Sequence, residues 1–479
     1  MDCDLLIENV RILDGSGTEP YSGSVAIRED RILAISNEKH SASQVFDGHG
    51  GFLAPGFIDV HTHDDLYLIR SPQMLPKLSQ GITTVIVGNC GISAAPVELG
   101  GSLPDPMNLL GQAGQFRYST FSAYVDAIAK ANPAVNVAGL VGHTALRNNH
   151  LDRLDRTATR AEVDAMKRQL TDALKAGALG LSTGLAYLSA YSASAEEVLG
   201  LAEALTRFGG IYTTHLRSES HAVVPALDEA FQIGRAANAP VVVSHLKCAG
   251  IENWGRSREL LARLDAAREN QPIACDCYLY SASSSTLDLR QVDERITITI
   301  TWSDPHQEMA GKNLAVIAEE WKLTQLEAAR RLQPAGAIYH CISEDDMRAI
   351  LRHPATMIGS DGLPCDPRPH PRLWGTFPRV LGKYAREEKL FSVVEAIRKM
   401  TSLPAERFRL KGRGRIQEGG CADLVLFDPA EIRDLATFSD PMQPAAGIKA
   451  VWVNGVLSYQ NGKATGIRAG KFIARTNGS

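Results

Sequence analysis

The 479-residue chain has no long apolar run and no excess of one charge, and its first residues carry no basic side chain. Each absence removes a class of protein. No stretch approaches the ~18 consecutive apolar residues that a bilayer-crossing helix needs. Lys and Arg number 50 against 54 Asp and Glu, a formal charge of −4, and no basic run breaks the balance. A nucleic-acid or polybasic membrane binder would show one dominant sign. Met1-Asp2-Cys3-Asp4 places acids where an export signal carries Lys or Arg, which predicts a cytoplasmic protein. A hydrophobic content of 44% excludes disorder. The eight cysteines, at 3, 90, 248, 275, 277, 341, 365 and 421, occupy a chain too long to need a disulfide framework. They are expected to be reduced and mostly packing residues, with one available for chemistry.

What is present divides the chain in three. Residues 4–13, 24–29, 31–35 and 44–47 read as short strands separated by Gly-rich and Asp-Gly turns. The same texture returns at 422–427 and 450–457, with Asn454-Gly455 as a hairpin turn. Between them, eight apolar strand candidates alternate with helical segments: 57–63, 83–89, 137–143, 179–183, 211–215, 241–245, 273–278 and 356–360. Thr159 with Glu162 and Ser194 with Glu197 have capping-box spacing, and Val163, Met166, Leu170 and Leu174 mark one helix face. Eight strands with helical crossovers predict an α/β protein built on a (β/α)8 TIM-like barrel. A doubly wound sheet is the alternative, but no glycine fingerprint follows the first strand. The expected organisation is a barrel over 56–410 and a small β-sandwich assembled from 1–55 and 411–479. An insertion over 281–355, between strands seven and eight, would act as a lid or specificity wall.

Barrel enzymes carry their reacting groups at the C-terminal ends of the strands. Here those ends hold His61 and His63, Cys90, His215, His245 and Asp361. His61 and His63, two apart, share a strand face. Alone, a strand-end His is commonly a structural residue, a buried Cys a small hydrophobe and an Asp-Gly a turn. Four histidines, one cysteine and one aspartate at one end of one barrel favour a metal site instead. Imidazole and thiolate suit zinc, with Asp361 placed to move a proton for hydrolysis of an amide or related bond.

Gly56-Phe57-Ile58-Asp59-Val60-His61-Thr62-His63, the later histidines, Asp361 and the tail Gly414-Arg415-Ile416…Ala422-Asp423-Leu424-Val425 resemble the amidohydrolase superfamily. Gly88-Asn89-Cys90-Gly91-Ile92-Ser93, Ile358-Gly359-Ser360-Asp361-Gly362-Leu363-Pro364 and Pro369-His370-Pro371-Arg372-Leu373-Trp374-Gly375 are similar to the D-aminoacylase branch, the N-acyl-D-amino-acid deacylases. The resemblance implies a tight zinc on Cys90, His215 and His245. A weaker second position would lie among His61, His63 and Asp361, with Asp361 also the general base and acid. It implies that Lys247, Tyr278, Ser284 and Arg372 bind the substrate, a small N-acyl-D-amino acid, with no nucleic acid or membrane partner. The oligomeric state is open, a monomer being compatible. Strand four reads Leu181-Ser182-Thr183-Gly184 and lacks the lysine that bridges two metals in many superfamily members. The chain departs from the branch where Leu188-Ser189 follows Tyr187 in place of two prolines, and where Tyr339-His340-Cys341 is polar. The alternatives are an N-acyl-D-Glu- or D-Asp-selective deacylase, a hydantoinase-type cyclic amidase, a dipeptidase or a non-catalytic scaffold. Cys275 and Cys277 are read as packing residues, and His143 as structural.

Overall fold

The eight central apolar runs are too buried to have a solvent face, which is the signature of parallel strands covered on both sides. The computed structural model, which describes residues 2–36, 41–99 and 101–476, places all eight in one ring. Phe57–Asp59, Ile82–Val87 and Asn136–Gly139 are strands one to three, hydrogen-bonded in parallel. Val141–Gly142 continues strand three beyond Leu140. Gly180–Gly184, Ile211–His215, Val241–Val243, Ile273–Cys277 and Thr356–Ile358 follow as strands four to eight, all parallel. The last seam joins strand eight to strand one. There the Asp361 N–H donates to His61 O at 2.8 Å, and Thr62 bridges Gly362.

Inside the ring, one apolar layer draws on every strand. It comprises Ile58, Val60, Ile86, Ala138, Leu140, Leu179, Ile211, Val242, Ala274 and Met357, closed off by Ala405, Phe408 and Leu410. With this end filled by hydrocarbon, the polar strand-end residues gather at the other. Six of the eight strands end earlier than their apolar runs predict. Just past the ends of strands two, six and eight, Cys90, His245 and Asp361 lie at φ 52°, 34° and 50°, in the left-handed region. Such residues cost about 1–3 kcal/mol each and cluster at functional sites.

Outer helices follow the predicted signals with one change. Thr159 and Glu162 form a reciprocal capping box on Arg160–Lys175. At Ala195–Phe208, Ser194 caps the Glu197 N–H, but the Glu197 carboxylate turns away to His143 and Arg147. The buried pair outcompetes the cap.

Both chain ends enter a single nine-stranded sheet. Asp2–Ile12 is its branch point, pairing with Ser41–Asp47 along its first half and with Phe52–Pro55 at its end. The branch lets strands face each other: Phe46 meets Trp452 edge-on at 4.9 Å, over a core of its own that includes Ile7, Val25, Leu53 and Leu424. Between strands seven and eight, Ser283–Thr286, Ala335–Tyr339 and Ile298–Ser303 make a separate antiparallel sheet. Helices Leu314–Trp321 and Gln325–Leu332 accompany it. Helix Glu344–Arg352 packs instead on Ser257–Arg268 and on strand eight, with the barrel's outer ring. Among the described residues no helix is long and apolar enough to cross a membrane.

Candidate metal centre and active site

At the C-terminal end of the ring, Cys90 Sγ lies 3.1 Å from His61 Nε2 and 3.3 Å from His245 Nε2. Asp361 Oδ1 lies 3.1 Å from His63 Nε2 and 3.4 Å from His61 Nε2. The ligand atoms of His61, Cys90, His245 and Asp361 therefore form one tight group. His215 joins it through its ring, 4.5 Å centroid to centroid from His245. All six strand-end residues are buried. Gly359 must be glycine here, because a Cβ would stand 2.5 Å from His61 Cβ and 2.9 Å from Asp276 Oδ1.

The electrostatics are those of a cation site. Burial alone would push the Cys90 thiol up, but the facing imidazoles of His61 and His245, with His215, outweigh it and hold it well below its ordinary range. Cys248 and Cys275 show burial without that compensation, and both are pushed up to about 12. Burial also opposes imidazolium formation, yet Asp361 and Cys90 hold His63 up at about 9. For His245, burial and Lys247 are outweighed by Glu219, Cys90 and Asp361, again to about 9. Asp361 would rise by desolvation, but Arg372 and the histidines hold it well below the usual carboxylate range. Thiolate, carboxylate and imidazoles at these spacings fit zinc. The Nδ1 atoms of His63 and His215 are buried without a hydrogen-bond partner, which leaves donor capacity for such an ion.

Two acids outside the predicted set support the ligands. Asp276, inward on strand seven two residues after Ala274, lies 3.2 Å from His61 Nδ1 and accepts the His245 N–H at 2.9 Å. Glu219 lies 2.8 Å from His245 Nδ1 and 2.5 Å from Lys247 Nζ. Alternation on strand seven was the available signal for Asp276. Glu219, in the loop after strand five, had none. Below the site, Lys77 is buried and bonds Asp59 at 2.9 Å and Ser360 Oγ at 3.0 Å, tying strand one to strand eight.

The site opens into a cavity of about 2130 Å³ lined by His63, His215, His245, Lys247, Tyr278, Ser284 and Asp361, with insertion residues such as Leu287, Trp302 and Tyr339 forming another wall. Tyr278 Oη and Ser284 Oγ are buried and without partners. Arg372 is fully buried behind that wall. Its guanidinium stacks on Tyr278 at 4.6 Å, donates to Ser284 O and pairs with Asp361 Oδ2 at 2.9 Å. Lys247 is engaged by Glu219. His143 lies apart from this cluster, paired with Glu197 at 2.9 Å, and Cys275 and Cys277 are buried in the packing.

The model of the amidohydrolase family matches residues 44–259 and 313–459. The chain belongs to that family. A D-aminoacylase of Alcaligenes xylosoxydans xylosoxydans is 46% identical, aligned over 99% of this chain and 98% of its own. An N-acyl-D-aspartate deacylase of the same organism is 46% identical over 98% of this chain and 95% of its own. These full-length matches place the amidohydrolase chain in the D-aminoacylase branch. The crystal structure of an N-acyl-D-glutamate deacylase from Bordetella bronchiseptica superposes with a TM-score of 0.96 at 44% identity, covering 99% of this chain and 100% of that one. That structure holds zinc and a phosphonate inhibitor that mimics the tetrahedral intermediate.

Proposed function

We propose that this amidohydrolase is a zinc-dependent deacylase that cleaves N-acyl-D-amino acids to a carboxylate and a free D-amino acid. The carrying observation is the group of His61, Cys90, His245 and Asp361, of which His245 and Asp361 line the cavity together with His63 and His215. On this reading Cys90, His215 and His245 hold the tight zinc, and His61, His63 and Asp361 surround a weaker second position. Zinc bound there supplies Lewis acidity, polarising the acyl carbonyl and acidifying water. Asp361, ionised and anchored by Arg372, accepts the proton of the attacking water and returns it to the amide nitrogen as the C–N bond breaks. Tyr278 and Ser284 have donors to spare for the substrate, and Lys247 stands on the same wall. Arg372 suits the substrate carboxylate chemically, since its planar fork bonds bidentately. To serve that role it must share itself with Asp361.

The same reading assigns catalysis to the barrel over 56–410 and the specificity wall to the insertion over 281–355. The sheet built from 1–55 and 411–479 is a structural unit. The cytoplasm is the compartment that would keep a Cys90 thiolate reduced. A cyclic amidase is disfavoured because strand four offers no bridging lysine and Cys90 takes its place among the ligands.

The test is turnover of N-acetyl-D-Met, N-acetyl-D-Glu, N-acetyl-L-Met and a hydantoin, with and without chelator. Cleavage of one or both D-substrates, abolished by chelation and restored by zinc, is expected. Hydrolysis of only the L-substrate or the hydantoin, or full activity after chelation, would overturn the proposal.

A further inference from the structure

Glu219 faces three groups at once. Its Oε1 lies 2.8 Å from His245 Nδ1 and 2.5 Å from Lys247 Nζ, and its Oε2 lies 3.5 Å from His215 Nε2. The loop that carries it is tied to the next one, because the Ala249 N–H donates to Glu219 O at 2.8 Å. We propose that Glu219 is a positioning residue for the metal centre, holding His245 in the tautomer protonated on Nδ1 and steadying the His215 ring. Lys247 is the fixed cation of the same carboxylate. This inference rests on the zinc reading above.

The proton count of the imidazole decides which nitrogen faces the metal. A neutral imidazole carries one proton, and the nitrogen that ligates a metal cannot be the one that holds it. His245 turns Nε2 toward Cys90 Sγ, at 3.3 Å, so the proton belongs on Nδ1. That proton needs an acceptor in a buried site. Lys247 Nζ approaches Nδ1 to 2.8 Å, where an ammonium can only donate to a bare nitrogen, so a proton on Nδ1 requires Lys247 to direct its own donors to Glu219 Oε1 and to His245 O, 3.1 Å away. Glu219 Oε1 is the acceptor within reach, and it also takes the Lys247 proton. His215, Glu219 and His245 make a second ligand-like group, and the Lys247 ammonium stands beside it as a resident positive charge. Carboxylates that orient ligating histidines in this way typically change metal affinity 10–100-fold when removed.

The experiment titrates zinc-stripped wild type, Glu219→Gln and Glu219→Asp with zinc against a chromophoric chelator, alongside thermal melts of each stripped protein. Long-range proton–nitrogen NMR of the zinc-loaded wild type reads the His245 tautomer. Expected are a 10–100-fold weaker zinc affinity in Glu219→Gln with an unchanged melt, partial rescue in Glu219→Asp, and a His245 proton on Nδ1. A Glu219→Gln affinity within twofold of wild type, or a His245 proton on Nε2, would overturn the inference. If Glu219→Gln fails to fold, the wild-type tautomer decides. A wild type that takes up no zinc would fail the zinc reading itself, which separates the two results.

Discussion

Cys90 shows how a residue's chemistry is set by its neighbours. The same thiol that burial pushes up at Cys248 and Cys275 is held down at Cys90, where three imidazoles face it. Strand-end position was enough to predict that Cys90, His61, His63, His215, His245 and Asp361 lie together, because a barrel maps linear position onto a shared rim. It could not find Glu219, which lies four residues beyond a strand end in a loop with no period. Nor could it find Lys77, a charge buried in the four-residue helix Leu75–Leu78, where charge ordinarily signals solvent. Asp361 carries the residue-scale prediction. Asn in its place keeps the volume and a hydrogen-bond acceptor but cannot carry the proton from water to the leaving amine. Asp361→Asn is expected to retain the tight zinc by elemental analysis while kcat falls at least ~10²-fold, the usual scale for a general base. Near-normal turnover at full zinc content would remove Asp361 from the proton path.

At the scale of elements, the apolar runs located all eight strands but overran the ends of six, and the left-handed backbone at Cys90, His245 and Asp361 that follows three of them leaves no mark in hydrophobicity. The helix signals carried a similar limit. Ser194 and Glu197 had the spacing of a reciprocal cap, yet Glu197 is spent on joining two helices. It pairs with His143 and Arg147 of helix His143–His150, all fully buried. Burial pushes Glu197 up, but His143 and Arg147 outweigh it and bring it down to about 2. A carboxylate depressed in the folded state stabilises above its ordinary pKa of ~4.3 and loses that contribution as pH falls toward 2. Burial also holds His143 below its usual pKa, so the fold keeps it neutral and a further loss begins as pH drops below ~6.5. The wild-type urea midpoint should therefore fall from pH 6.5 downward and more steeply below about 4.5. Glu197→Gln should start about 3–5 kcal/mol less stable at pH 7, since it leaves Arg147 buried without its counter-ion. Its midpoint should then change less between pH 5 and 3. Parallel pH profiles for the two proteins would show that this pair does not set the acid limb.

At the scale of the whole molecule, the strand character of both chain ends was readable, but their partnership was not. Alternation reports a strand and stays silent on a partner more than 350 residues away. The structure makes the pairing tight. Leu424–Phe427 lies between Phe52–Pro55 and Ile448–Val453, so material from the C-terminal part forms the middle of a sheet begun at the N-terminus. Asn136 of barrel strand three donates to Asp423 at 3.2 Å and accepts from Asn454 at 2.7 Å, and Arg413 pairs with Asp423. Phe472 packs edge-on against Phe121 at 6.0 Å on the barrel's helical layer. Ending the chain at residue 410 would uncover the edge of Phe52–Pro55 and strip Trp452 and Leu424 from the core around Ile7, Val25 and Leu53. Open strand edges beside exposed apolar surface drive association between chains. The 1–410 fragment is expected to elute as soluble aggregate or precipitate, with its lowest unfolding transition well below that of the full chain. Co-expression with a separate 411–479 segment should recover monodisperse protein, because the missing strand returns to a preformed edge. A 1–410 fragment that is monodisperse and melts like the full chain would show that the barrel does not depend on the sheet its two ends build.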